Sequence, residues 1–153
     1  MNKKKLSILA AVLFGLSFIV LGLKNLSQDV SLNSWESQAA GYAKALQKQQ
    51  QTGKPIVVLF YTDWCGSCKV LKADVLSSPE MNSFIESDVL AVKINPERSA
   101  EVARLAKEFG VVGYPMVFVV LSRQEGREIR WIRQTSRISP QQFIEQIQQV
   151  IER

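Results

Sequence analysis

Residues 63–69 have the sequence Asp63-Trp64-Cys65-Gly66-Ser67-Cys68-Lys69 and lie between a predicted strand and a predicted helix. This stretch contains both cysteines of the 153-residue chain, separated by two residues. The apolar residues 56–61 before it predict a buried strand, and residues 70–76 after it have the apolar spacing of a helix. A dithiol at the start of a helix is suited to redox chemistry, because free amides and the helix dipole stabilise a thiolate at the first cysteine.

A structural disulfide and a metal site are the alternatives for Cys65 and Cys68. A structural disulfide would close a very short loop and stabilise the fold little. A zinc site needs four ligands, and the chain has no other cysteine and no histidine, so only a dimer could build one. The lack of histidine also excludes His-based acid–base catalysis. We therefore predict a redox-active Cys65–Cys68 disulfide, with no metal and no cofactor.

Hydrophobic patterns predict further strands and helices around this site. The predicted strands are residues 56–61, 89–94, 116–121 and 128–132. The predicted helices are residues 34–51, 70–76, 78–86, 100–109 and 140–153, with the Gln-rich end of the first, 47–51, interpreted as solvated. Strands that alternate with helices imply parallel pairing, and a late hairpin adds an antiparallel pair. The sequence therefore predicts an α/β fold with a central mixed sheet and helices on both faces.

The N-terminal residues predict a membrane anchor. Residues 1–5 are basic, and residues 6–23 contain no charge and are dominated by apolar side chains. This length favours an uncleaved signal-anchor that spans the bilayer, with a cleaved signal peptide as the alternative. The positive-inside rule places residues 1–5 in the cytoplasm and the domain, residues 34–153, across the cytoplasmic membrane, in the periplasm or on the outer face, where disulfides persist. Residues 24–33 are interpreted as a linker.

The charge of the chain does not indicate a nucleic-acid partner. The formal net charge is +5, but three of the lysines lie in residues 1–5. From residue 24 onward, 16 basic residues face 14 acidic ones. We therefore expect a nearly balanced, monomeric domain that binds no nucleic acid.

Three segments resemble the thioredoxin family. Residues 63–69 resemble the active-site segment of that family, and Lys93-Ile94-Asn95 resembles a segment on its next central strand. Residues 109–115, Phe109-Gly110-Val111-Val112-Gly113-Tyr114-Pro115, resemble its approach to a cis-proline loop. Within the family, the residues leading into Cys65 are most similar to the C-terminal domain of the bacterial transmembrane disulfide reductase and to membrane-tethered periplasmic members. The resemblance covers roughly residues 34–153 and implies a thioredoxin-like fold.

The resemblance also implies roles for individual residues. Cys65 would be the exposed nucleophile and Cys68 the buried resolving thiol, which exchange disulfides through a mixed disulfide. The residues expected to bind substrate are Trp64, Gly113, Tyr114 and Pro115, with Pro115 in the cis form. The residues expected to tune the redox potential are Gly66, Ser67 and Lys93.

The chain departs from the family at Leu59. Family members often carry a buried acid at this position, six residues before the first cysteine, where it assists proton transfer at the resolving thiol. In this chain Asp63 or a water molecule is the alternative proton acceptor, and Lys93 could affect the proton balance of the dithiol.

These expectations define a membrane-tethered thiol–disulfide oxidoreductase that acts on disulfides of exported proteins. The missing histidine between the cysteines and the similarity to reductase domains favour a reductant, which requires a membrane electron donor. The alternative is a thioredoxin-fold binding or chaperone module that uses the groove at Tyr114 and Pro115 without redox turnover. A metallochaperone is disfavoured, because the chain has no histidine and no methionine cluster near the dithiol.

Overall fold

A computed structural model describes residues 34–124, 126–132 and 138–153. The predicted membrane span, residues 6–23, lies outside these ranges, as do the basic segment 1–5 and the linker 24–33. Within the described ranges, no helix is long and apolar enough to cross a bilayer.

Five strands and five helices make up the described part of the chain. The strands are β1 (Glu36–Ser37), β2 (Ile56–Phe60), β3 (Leu90–Ile94), β4 (Met116–Arg123) and β5 (Gly126–Ile132). The helices are α1 (Gln38–Thr52), α2 (Gly66–Leu71), α3 (Pro79–Ser87), α4 (Ala100–Glu108) and α5 (Pro140–Glu152). Helix α2 continues directly as a π-helical turn, Lys72–Leu76, and a 3-10 turn, Pro96–Arg98, follows β3.

The strands form one mixed sheet in the order β1-β3-β2-β4-β5. β1, β3 and β2 are parallel, whereas β4 is antiparallel to both β2 and β5. The prediction of a mixed central sheet is confirmed. The predicted start of the first helix is wrong, because Glu36 and Ser37 pair with Val92 and Lys93 of β3 before the helix begins.

One face of the sheet is covered by α1 and α4. Alternate residues of β2, namely Ile56, Val58 and Phe60, join the core on this face, as period-two alternation in a strand requires. Phe60 and Phe109 lie at the centre of an aromatic cluster, with ring centroids 5.1 Å apart. Each fully buried side chain of this size stabilises the fold by about 1.5–3 kcal/mol relative to an exposed one.

The opposite face carries the other residues of β2, Val57 and Leu59. Helix α5 packs against β4 and β5, and it also contacts α3 and the π-helical turn after α2. The chain therefore leaves the buried strand β2 and enters α2 at the edge of this second layer. That junction holds both cysteines.

Candidate active site

Cys65 occupies the N-cap position of α2. Its backbone is extended, with φ −72° and ψ 107°, and the Cys68 amide donates a hydrogen bond to Cys65 Sγ at 3.2 Å. A sulfur at this position faces the free amides at the helix start, which stabilise negative charge. The site therefore favours a thiolate at Cys65 once the pair is reduced.

Cys65 and Cys68 form a disulfide. Ser67 Oγ lies 3.4 Å from Cys65 Sγ, so the first of the two cysteines also contacts a hydroxyl. The resemblance predicts an exposed Cys65, but in the disulfide both cysteines are buried, with 4% of Cys65 and 1% of Cys68 exposed. The reason is that the Cys65 sulfur turns inward toward the helix amides.

The loop before β4 lies next to the cysteine loop. The Tyr114–Pro115 peptide bond is cis, as the resemblance implies. The rings of Trp64 and Tyr114 meet edge to face, with centroids 6.1 Å apart. Trp64 is 68% exposed, and Gly113 is also exposed. The structure thus brings together the cysteines, Trp64 and the segment 113–115.

The turn after β3 is hydrogen-bonded to the cysteine loop through Glu97 and Trp64. Glu97 Oε1 accepts a hydrogen bond from Trp64 Nε1 at 2.8 Å. Asn95 Oδ1 accepts from the Glu97 amide at 3.0 Å and so shapes the turn that presents Glu97. Sequence reasoning missed Glu97, although the Asn-Pro pair directly after a predicted strand is a turn signal.

Asp63 does not take the place of an acid at Leu59. Its carboxylate pairs with Arg98 at 2.6 Å and also accepts from Asn95 Nδ2 at 3.2 Å. The Asp63 side chain is 59% exposed. The suggestion that Asp63 serves as the proton acceptor for the resolving thiol therefore receives no support from its position.

Lys93 lies beside Leu59 on the sheet, and Lys72 lies in the π-helical turn that follows α2. Lys93 is in register with Leu59 across the parallel strands β2 and β3, so the two side chains share a face. Lys72 Nζ lies 3.3 Å from the centroid of the Tyr61 ring. Burial lowers the pKa of Lys72, the charge of Lys93 lowers it further, and Asp63 opposes both effects. The charged side chain beside Leu59 on the neighbouring strand is thus a lysine, Lys93, and not a carboxylate.

The described residues offer no ready-made metal site. Nowhere in the part of the chain that the structure covers do three or more Cys, His, Asp or Glu side chains converge as ligands would. The chemistry that the site supports is exchange at sulfur.

The fold and the disulfide define the class of the protein. Residues 34–122 match the protein family described as thioredoxin-like, and the chain belongs to this family. With the Cys65–Cys68 pair at the start of α2, it is a thioredoxin-like thiol–disulfide oxidoreductase.

Its relatives include the thiol:disulfide interchange proteins DsbD. The chain is 42% identical over 80 residues to DsbD of Neisseria meningitidis serogroup A, a match that covers 48% of the chain and 12% of DsbD. DsbD of Yersinia pestis is 30% identical over 99 residues, covering 65% of the chain and 16% of that protein. The chain therefore corresponds to a small part of these curated relatives.

Solved structures show the same relationship. The oxidised C-terminal domain of Neisseria meningitidis DsbD superposes with a TM-score of 0.59 and 33% identity, covering 72% of this chain and 93% of that domain. A thioredoxin from Thermus thermophilus has a TM-score of 0.61 at 23% identity, covering 76% of this chain and 87% of the other. The second match is a likeness of fold.

Proposed function

We propose that the protein is a membrane-tethered reductant of disulfides in exported proteins. The observation that carries the proposal is the Cys65–Cys68 disulfide at the start of α2, where the Cys68 amide donates to Cys65 Sγ at 3.2 Å. The exposed Trp64, in edge-to-face contact with Tyr114, adds an apolar surface beside the dithiol on which a protein substrate can bind.

The reaction begins with the reduced pair. The Cys65 thiolate attacks one sulfur of the substrate disulfide, the substrate S–S bond breaks, and the second substrate sulfur leaves as a thiolate that takes up a proton. The product is a mixed disulfide between Cys65 and the substrate. Tyr114 presents its backbone to the extended substrate chain, in the manner of an added β-strand.

The second exchange releases the substrate. The Cys68 sulfur attacks Cys65 Sγ, the bond from Cys65 to the substrate breaks, and the substrate leaves as a dithiol. The enzyme is then oxidised by two electrons. A dithiol donor must reduce the Cys65–Cys68 disulfide before another cycle, and for a domain outside the cytoplasm a membrane protein is the natural source of these electrons.

The tether is supported by the sequence. Residues 6–23 are long enough and apolar enough to anchor the chain, and the lysines in residues 1–5 favour a cytoplasmic N-terminus. Alkaline extraction of bacterial membranes tests this point. Full-length protein is expected to stay with the membrane, whereas a chain lacking residues 6–23 is expected to be extracted. Release of the full-length protein would contradict the tether.

The direction of electron flow is tested by the redox potential of the full-length protein. Equilibration with glutathione or dithiothreitol buffers gives the ratio of Cys65–Cys68 disulfide to dithiol. A reductant is expected near the potential of thioredoxin, about −270 mV. A value near that of strong oxidants, about −120 mV, would make the protein a disulfide donor instead.

Substitution of each cysteine tests the order of the two steps. Cys65→Ser is expected to abolish reduction of insulin disulfides, because no thiolate remains to attack. Cys68→Ser is expected to accumulate a mixed disulfide through Cys65 that dithiothreitol releases. Ser83→Ala, at an exposed position of α3, keeps both cysteines, serves as the matched control and is expected to remain active. An active Cys65→Ser variant would contradict the mechanism.

A binding or chaperone module is the second candidate, and the exposed Trp64 ring against Tyr114 favours it. In this case the cysteines are dispensable. The variant with both Cys65→Ser and Cys68→Ser would then suppress aggregation of an unfolded protein as well as the wild type does, and it would complement a deletion strain. Loss of complementation on Cys65→Ser alone would exclude this candidate.

A further inference from the structure

The buried face around Leu59 lacks an acid but is close to positive charge. Leu59 is fully buried on β2, and Lys93 lies beside it on β3. Lys72 approaches the same face, because its ammonium covers the ring of Tyr61. Tyr61 follows directly after β2, and its amide still donates to the Ile94 carbonyl of β3 at 3.0 Å, so it continues the alternation that puts it on the side of Leu59.

Lys72 is also directly connected to the resolving cysteine. The Lys72 amide donates to the Cys68 carbonyl, so Lys72 lies one helical turn after Cys68 on the same side of the helix. The Cys68 side chain is buried. The Lys72 side chain is half-buried, so water screens its charge less than it screens the charge of an exposed lysine.

The two lysines have no acidic partner on this face. Across residues 34–124, 126–132 and 138–153, neither Lys72 nor Lys93 forms an ion pair. Asp63, which interacts electrostatically with Lys72, is bound to Arg98. The acids of α3 and α5, the helices against the π-helical turn, are all exposed: Glu80, Glu86, Glu145 and Glu152.

Two half-buried positive charges repel each other, and an anion formed beside them would relieve this repulsion. Burial and the charge of Lys93 both lower the pKa of Lys72, which is the expected effect of such crowding. The Tyr61 ring offsets part of this effect through the attraction of a cation to the face of an aromatic ring. The one buried group next to Lys72 on its own helix that can become an anion is the thiol of Cys68.

We propose that Lys72, supported by Lys93, stabilises the thiolate of Cys68 during release of the substrate. This inference rests on the proposed dithiol mechanism and deepens it. Lys72 is a positioning residue, since it acts on Cys68 and does not touch the exchanging sulfurs. A fixed positive charge thus replaces the buried acid that is missing at Leu59: it favours loss of the proton from Cys68 instead of accepting it.

The chemical step balances without another reactant. The Cys68 thiol loses its proton, and the thiolate attacks Cys65 Sγ in the mixed disulfide. The new Cys65–Cys68 bond forms as the bond from Cys65 to the substrate breaks. The substrate sulfur leaves as a thiolate and takes up the proton that Cys68 released. Lys72 keeps its proton throughout.

The reaction of the reduced full-length protein with dithiobis(nitrobenzoic acid) tests this role. Attack by Cys65 releases the first thionitrobenzoate, and attack by Cys68 on the resulting mixed disulfide releases the second. Stopped-flow absorbance separates the two releases, and the rate of the second is measured across the pH range. The variants are Lys72→Met, which removes the charge, and Lys72→Arg, which keeps it.

Lys72→Met is expected to shift the pH profile of the second release upward by about one unit. Near neutral pH the second release then slows about threefold, because a tenfold smaller thiolate fraction is partly offset by the greater nucleophilicity of a more basic thiol, with a Brønsted coefficient of about 0.4–0.5. Lys72→Arg is expected to keep the wild-type profile. Lys93→Met is expected to shift the profile in the same direction by less, since Lys93 is on the adjacent strand.

Matched controls separate charge from packing. Lys69→Met removes an exposed lysine next to Cys68 and is expected to leave the profile within about 0.3 unit, because exposed charges are screened. Urea unfolding confirms that each variant is folded. A folded Lys72→Met with an unchanged profile would overturn the proposal, as would a Lys72→Arg that shifts as Lys72→Met does. Absence of the first release from the wild type would instead refute the proposed function itself.

Discussion

Trp64 Nε1 donates a hydrogen bond to Glu97 Oε1 at 2.8 Å, and this contact joins the cysteine loop to the turn after β3. The exposed Trp64 ring thereby stays in edge-to-face contact with Tyr114 of the neighbouring loop. Glu97, which belongs to neither of these two loops, thus holds the Trp64 ring in its orientation.

Glu97→Ala is expected to weaken reduction of protein disulfides. Loss of this hydrogen bond costs about 0.5–1.5 kcal/mol, and exposure places it at the lower end. We expect kcat/KM for insulin reduction to fall about two- to fivefold, whereas the first release from dithiobis(nitrobenzoic acid) stays unchanged because a small probe does not need the ring. Glu97→Gln keeps an acceptor oxygen and is expected to remain close to the wild type.

Glu101→Ala is the matched control for Glu97→Ala. Glu101 is an exposed acid in the first turn of α4, so its substitution changes the net charge equally without freeing Trp64. Equal losses in the two variants would show that charge, and not the orientation of Trp64, controls the reaction.

Gly113→Val tests whether the substrate chain passes over the loop before Pro115. A Cβ atom at Gly113 would meet no heavy atom within 4 Å, and the residue is exposed. The free energy of unfolding is therefore expected to change by no more than about 0.5 kcal/mol. Insulin reduction is expected to slow, because the new side chain would stand where an extended substrate pairs with Tyr114.

Gly110→Ala is expected to have the opposite effects to Gly113→Val: lower stability and unchanged insulin reduction. Gly110 has φ +71°, a left-handed conformation that costs a residue with a side chain about 1–2 kcal/mol. This variant is expected to be less stable in urea but to reduce insulin at the wild-type rate while folded. Wild-type activity in Gly113→Val would remove Gly113 from the substrate surface.

Local patterns were enough to predict the junction of β2 and α2, because a buried apolar run and a helical spacing meet at the cysteines. The cis peptide bond before Pro115 was expected from the resemblance of residues 109–115 to the thioredoxin family, and not from a local pattern. The edge strand β1 was missed because a strand of two residues is too short to show an alternation of apolar and polar side chains. It exists only through pairing with β3, in which Glu36 is opposite Val92, 56 positions later in the chain.

The π-helical turn after α2 explains a further error. The apolar spacing of residues 70–76 predicts a regular helix with Val70, Leu71 and Val75 on its buried side, yet Val70 is 52% exposed, while Leu71, Val75 and Leu76 are buried. The Ser77 amide and hydroxyl both donate to the Lys72 carbonyl, at 3.0 and 2.6 Å, which closes the wider turn. Such a turn shifts the helix phase by one residue, and hydrophobic spacing alone does not reveal it.

The prediction that residues 47–51 are solvated is wrong for Gln49. It is buried, and its Nε2 donates to the carbonyls of Lys54 at 3.1 Å and Val120 at 2.9 Å. Gln49→Ala leaves both carbonyls without this donor and is expected to lower the free energy of unfolding by about 1–3 kcal/mol. Urea unfolding measures the change as a shift of the midpoint at a constant slope.

Gln50→Ala is the neighbouring control, because Gln50 lies in the same helical turn and is exposed. Its unfolding free energy is expected to stay within about 0.5 kcal/mol of the wild type. Equal losses in the two variants would show that the bond from Gln49 to β4 does not account for the effect, and helix propensity would not account for it either, because alanine favours a helix more than glutamine does.

Glu36 gives the fold a dependence on pH. Its Oε1 lies 2.7 Å from Lys44 Nζ and 3.2 Å from Lys48 Nζ, and the hydrogen bond from Lys44 is the largest cause that lowers the pKa of Glu36 from its ordinary value of 4.5. Because the pKa is lower in the folded state, the stabilisation is complete above the ordinary value and is lost as the pH falls through the folded value.

Glu36→Gln is expected to remove this pH-dependent part of the stability. At neutral pH and low salt, the wild type is expected to exceed the variant by about 0.2–1 kcal/mol in unfolding free energy, the range for partly exposed ion pairs. The difference is expected to shrink as the pH falls below the ordinary value, and also in high salt, which screens the two lysines. Unfolding in urea at several pH values measures both trends. A difference that stays constant with pH would show that the side chain stabilises β1 by packing rather than by charge.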